Sequence, residues 1–117
     1  MKKQILICDD ETGIIESYKL ILENKYDLTI AEDGFKALEE FKNKSFDLVI
    51  LDIKLPKKDG IEVLKEMKKI DPKSNILIIT GYQSVSLAEE AIHLGANNYL
   101  IKPFEKNQLL KDVRKAF

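Results

Sequence analysis

Residues 47–60 read DLVILDIKLPKKDG. Leu48, Val49, Ile50 and Leu51 make an unbroken apolar run, too short for a helix and right for a strand covered on both faces. Asp52 closes that run. The loop that follows holds Pro56, whose ring fixes φ, and ends at Asp59-Gly60, a start signal for a helix. Ile61, Leu64 and Met67 then recur at helical spacing, with Val63 beside them. A buried strand, a shaped loop and an amphipathic helix form one β-α unit.

The same alternation extends in both directions. Strands are expected at Gln4–Cys8, Asp27–Ala31, Asp47–Leu51, Asn75–Ile79 and Asn98–Ile101. The first helical segment is striped by Ile14, Ile15, Tyr18, Ile21 and Leu22. Phe35, Leu38 and Phe41 stripe the second, with Asp33 as its N-cap. Val85, Ala88, Ala91 and Ile92 line the fourth, with Ser84 or Ser86 as cap and Gly95 as its end. Leu109, Leu110, Val113 and Phe117 line the fifth. Repeated β-α units imply right-handed crossovers and a parallel sheet with helices on both faces. ILIC, LVIL and ILII read as interior strands, while the more polar DLTIA reads as an edge. The expected fold is a flavodoxin-like, doubly wound, five-stranded parallel (βα)5 sheet of order 2-1-3-4-5. Residues 1–117 then form a single domain.

Composition narrows the function. A chain of 117 residues holds one well-filled core, and 44% hydrophobic with 33% charged residues fits a folded globular domain. Nineteen basic side chains nearly balance twenty acidic ones, which argues against direct nucleic-acid binding or attraction to an anionic membrane. No apolar stretch is long enough for a membrane span or a signal-peptide core. The single cysteine, Cys8, cannot form an internal disulfide, so a reducing cytoplasm is the expected location.

The strand ends carry the chemistry. Asp9-Asp10 follow the first run, Asp52 the third, Thr80 the fourth and Lys102 the fifth. In an open α/β sheet the site lies beyond the carboxyl ends of the strands, where the winding reverses, here between strands one and three. Two unit charges ~4 Å apart at an effective dielectric of ~20 repel by about 4 kcal/mol. Three carboxylates together therefore call for a cation or a proton. Each residue alone has a plainer reading: a helix-starting Asp-Asp pair, a surface aspartate, a strand-end threonine. Glu11 extends the acidic patch and is expected to be solvated or helix-capping. His93, the only histidine, has no second metal-type ligand at metal spacing. Cys8 reads as a small buried hydrophobe, and Lys57, Lys58, Lys65, Lys68 and Lys69 as solvated faces.

Four motifs, ILICDDE, LVILDIKLPKKDG, ILIITG and NYLIKPF, resemble the receiver domain of two-component response regulators, in order and along essentially the whole chain. The resemblance implies a phosphorylation-activated switch with Asp52 as phosphoacceptor. It implies Mg²⁺ held by Asp10, Asp52 and the backbone carbonyl of Lys54, with Asp9 acting mostly through water. Lys102 and Thr80 would receive the phosphoryl oxygens, Lys102-Pro103 would be a cis peptide, and Tyr99 would be the switch aromatic. The phosphodonor would be a sensor histidine kinase or phosphotransfer protein. Output would run through helix four, strand five and helix five, to an effector domain or a second copy in a homodimer. Such a protein turns over only itself and is not an enzyme in the usual sense. ITGYQS and AIHLGANNYLIKPF also resemble receivers attached to ATPase-type transcription activators. Lys54 and Tyr82, each two residues beyond a site residue, imply slow dephosphorylation.

Two other classes are open to such a chain. A metal-dependent phosphohydrolase with an aspartate nucleophile carries it on its first core strand, with a second aspartate two positions on; here the sequence is Asp52-Ile53-Lys54. A flavodoxin-like nucleotide-binding module needs a glycine- and hydroxyl-rich loop after strand one, where this chain has Asp9-Asp10-Glu11. A third possibility, a degenerate and unphosphorylated receiver, would lack a site residue, and none is missing.

Overall fold

The computed structural model describes residues 2–81 and 85–117. Among them, strands β1 (Lys3–Cys8), β2 (Tyr26–Ala31), β3 (Leu48–Asp52), β4 (Ile76–Thr80) and β5 (Asn98–Ile101) alternate with helices. The helices are α1 (Thr12–Leu22), α2 (Gly34–Asn43), α3 (Gly60–Ile70), α4 (Val85–His93) and α5 (Lys106–Lys115). All strand pairs are parallel, in the order β2-β1-β3-β4-β5. The expected topology is the observed one.

Alternation along the strands divides the core in two. Leu6, Cys8, Val49, Leu51, Ile76 and Ile78 face α2, α3 and α4. Ile5, Ile7, Leu48, Ile50, Leu77 and Ile79 face α1 and α5. Every residue of β3 and β4 is buried, as their continuous apolar runs require. Asp33 caps α2 by accepting from the Lys36 backbone N–H at 2.8 Å, and Asp59 caps α3 by accepting from Ile61 at 3.0 Å. Gly95 follows α4 with φ +112°, a conformation that an L side chain resists.

Several expectations are corrected in detail. The third and fourth strands run one residue later than expected and take in Asp52 and Thr80, while the first and second begin one residue earlier. Ser86 lies inside α4 and cannot cap it; Ser84 and Tyr82 lie outside the described residues. Phe35 does not join the core stripe: it is 59% exposed beneath the Lys58 ammonium. Ile92 and Phe117 are likewise exposed. Lys68 is no solvated side chain, since it donates to the Ser74 carbonyl at 2.6 Å, and burial pulls its pKa down.

Candidate functional site

Strand register builds the site. Cys8 pairs with Leu51, so Asp9, one step on, is level with Asp52. Asp52 pairs with Ile79, which sets Thr80 one step further, and Thr80 pairs with Ile101, which sets Lys102 one beyond that. The four strand ends thus form a staircase across the carboxyl edge, centred where the winding reverses between β1 and β3.

Each carboxylate is fixed by a tight local bond. Asp9 Oδ1 accepts from the Glu11 backbone N–H at 2.9 Å, and Asp52 Oδ1 accepts from the Lys54 N–H, also at 2.9 Å. These paired Asx-type turns fold the chain back directly after β1 and β3. Asp9, Asp10 and Asp52 each present a carboxylate oxygen such that all three lie within 4.8 Å of one another. Asp9 and Asp52 are buried while Asp10 is exposed, so the cluster opens to solvent on one side.

Lys102 reaches into this cluster. Its Nζ donates to Asp52 Oδ2 at 2.8 Å and Glu11 Oε1 at 2.7 Å. It also lies 2.9 Å from Asp9 Oδ2, an ion pair by distance but not aligned as a hydrogen bond. Burial opposes the ammonium charge, yet the three carboxylates hold the lysine pKa well above its usual value. Burial raises the Asp9 pKa; the Glu11 N–H and Lys102 counter it only in part, and the neighbouring Asp52 charge adds to it.

The remaining site residues surround this pair. Thr80 is fully buried and its hydroxyl donates a long, 3.4 Å bond to the Gly81 carbonyl. The Lys102 backbone N–H donates to the Thr80 carbonyl at 2.7 Å, joining two residues of the constellation. The Lys102-Pro103 peptide is cis, as expected. Phe104 stacks on the buried Tyr18 of α1, with ring centroids 5.4 Å apart, and so braces the loop that carries Lys102. Tyr99 is half-buried on β5 and packs toward the α2–α4 side of the core. The Lys54 side chain is exposed, His93 is exposed at the end of α4, and Cys8 is buried with its thiol pKa raised by burial.

Glu11, read from the sequence as solvated or helix-capping, is largely exposed but has a further partner. It occupies the N-cap position of α1 but makes no side-chain cap bond, and pairs with Lys102 instead. The run Asp9-Asp10-Glu11 hinted at an acidic patch; that Lys102, 91 residues on, reaches all of it except Asp10 needed coordinates. A concavity of about 790 Å³ lies along β5 and α5, beside Tyr99, Pro103, Gln108 and Lys111 and away from the carboxylates.

A family model described as the response regulator receiver domain matches residues 5–114. The transcriptional regulatory protein ZraR of Klebsiella oxytoca is 44% identical over 108 residues, covering 90% of this chain and 24% of that protein, so the chain spans about a quarter of its length. The chemotaxis protein CheY of Bacillus subtilis is 35% identical, covering 99% of this chain and 98% of that protein. Among solved structures, the CheY-like receiver domain protein of Methanospirillum hungatei superimposes with a TM-score of 0.91 at 35% identity, covering 98% of this chain and 93% of that one.

Proposed function

The chain belongs to the response regulator receiver family and is a phosphorylation-activated switch, and from that premise we propose that Asp52 is its phosphoacceptor and that Asp10, Asp52 and the Lys54 carbonyl hold Mg²⁺, with Asp9 behind them. The supporting observation is the three-carboxylate cluster closed by a single ammonium at the switch point of the sheet. The donors are hard oxygens on one small, partly open surface, which suits a cation that keeps several waters. When bound there, Mg²⁺ supplies positive charge that lets a further anion enter a carboxylate-rich corner.

The residues then divide the work. A carboxylate oxygen of Asp52 attacks the phosphorus of a phosphohistidine; a P–O bond forms, the P–N bond breaks, and the imidazole nitrogen leaves with the electron pair. Lys102 follows the charge, exchanging Asp52 as partner for a phosphoryl oxygen. The Thr80 hydroxyl, poorly satisfied at 3.4 Å, turns from the Gly81 carbonyl to another phosphoryl oxygen. Tyr99 takes up the space, and the face of α4, β5 and α5 repacks as a population shift. Water attacking the phosphorus later regenerates the carboxylate and releases phosphate, so the domain resets itself without turning over a separate substrate.

The donor on this reading is a sensor histidine kinase or phosphotransfer protein in the cytoplasm. Residues 1–117 act as one receiver domain, and the repacked face, with its groove along β5 and α5, receives an effector domain or a second copy. The family match and the relatives named above give the phosphohydrolase alternative no support. Acetyl phosphate with Mg²⁺ should add the mass of one phosphoryl group to the wild type and none to Asp52→Asn. Equal incorporation by both would defeat the assignment.

A further inference from the structure

The loop between β3 and α3, residues 53–59, carries the Lys54 carbonyl, and it is clamped from two sides. On its inner side the Gly60 N–H donates to the Ile53 carbonyl at 3.0 Å, and a Cβ on Gly60 would stand 2.5 Å from that oxygen. The loop has no slack in that direction. On its outer side it lies against the first turn of α2. The Gly34 N–H donates to the Pro56 carbonyl at 3.2 Å, which also accepts from the Lys58 N–H at 2.7 Å. Lys57 Nζ is 3.6 Å from Asp33 Oδ2, and Lys58 Nζ stands 5.6 Å over the Phe35 ring. Three consecutive residues, Asp33, Gly34 and Phe35, therefore hold three consecutive loop residues.

Gly34 is the centre of this clasp. A Cβ there would lie 2.5 Å from both the Lys58 carbonyl oxygen and Lys58 Cβ, where real Cβ contacts essentially never fall below 3.0 Å. Most of the obstruction is backbone, so the loop would have to retreat by at least 0.5 Å, the difference between those distances. A Mg²⁺ ligand set tolerates little of that, because the ion demands near-octahedral geometry at about 2.0–2.1 Å.

We propose that Gly34 is a positioning residue for the cation site: its missing side chain lets the β3–α3 loop seat on α2 and so sets where the Lys54 carbonyl stands. The inference rests on the reading of Asp10, Asp52 and Lys54 as the Mg²⁺ ligands. Gly34 acts through Pro56 and Lys58.

The test is a Mg²⁺ titration of the ¹⁵N-labelled chain, followed by amide shifts, beside thermal unfolding in EDTA. Gly34→Ala should weaken Mg²⁺ binding about tenfold or more, the usual effect of disturbing a ligand's support. Gly13→Ala, where a Cβ meets nothing within 4 Å, should bind as the wild type does. A purely structural role for Gly34 would lower the melting temperature in EDTA and leave the Mg²⁺ midpoint unmoved, and that result overturns the proposal. Should Gly34→Ala not fold, Lys58→Ala decides: it removes the contacts with Phe35 and Glu66, and severalfold weaker binding is expected, with unchanged binding counting against the clasp. A wild type that itself shows no Mg²⁺-dependent shifts would overturn the ligand reading, and this inference with it.

Discussion

Asp9 is where the tension of the site is concentrated. It is buried, it lies beside Asp52, and its pKa is raised, chiefly by desolvation. A carboxyl whose pKa is higher in the folded than in the unfolded chain favours folding most when protonated. That contribution is fully present below the ordinary aspartate value and is lost as pH rises through the raised one. At neutral pH the Asp9 charge therefore works against stability, and Lys102 relieves it only in part. Asp9→Asn should raise the melting temperature of the metal-free domain by a few degrees at pH 7, and the gain should vanish below about pH 4, where aspartates are protonated. Thermal scans across pH in EDTA would check this; a destabilised Asp9→Asn at pH 7 would contradict it. Lys102 differs: its pKa is raised by carboxylates that outweigh burial, so its contribution persists through neutral pH and is lost only above the ordinary lysine range.

At the scale of elements, the β3–α3 loop is where local sequence and local geometry disagree. Lys57 adopts φ +66°, a left-handed conformation that costs an L-residue roughly 1–2 kcal/mol. Its one ion pair, 3.6 Å from Asp33 with Lys57 mostly exposed, returns little. Lys57→Gly should therefore stabilise the fold by up to about 1 kcal/mol once the extra freedom of glycine in the unfolded chain is deducted. Urea unfolding would read this as a higher midpoint at unchanged slope. The strain was not legible in LPKKDG, because nothing about a lysine announces positive φ. What was legible follows from periodicity. ILIC, LVIL and ILII mark three buried strands, and their ends set Asp9, Asp52 and Thr80 on one edge. The helical stripe held in α3, where Ile61, Val63, Leu64 and Met67 are all buried, and failed at Phe35, which stays exposed beneath a lysine from a neighbouring loop. Pairings between distant polar side chains, Glu11 with Lys102 above all, depend on reach and rotamer, which periodicity does not encode.

For the whole molecule, the site is a knot in the chain. Its proposed ligands come from β1 and β3, some forty residues apart in sequence, and its ammonium from beyond β5; they meet only when the central strands are in register. An ion bound by that set binds the folded state and not the unfolded one, so it must stabilise the entire cooperative unit. Mass action puts the gain at about 2.7 kcal/mol when Mg²⁺ stands a hundredfold above its dissociation constant. For a domain of this size that corresponds to roughly 10 °C in melting temperature. Nonspecific screening cannot imitate this, because a chain with net charge −1 has little overall repulsion to relieve. Asp10→Asn should keep the metal-free melting temperature close to that of the wild type, since Asp10 is exposed and Lys102 does not pair with it, yet lose most of the Mg²⁺-dependent rise. Calorimetric scans in MgCl₂ and in NaCl of matched ionic strength separate the two effects, and an equal rise in both salts would place the stabilisation on the surface instead of among these carboxylates.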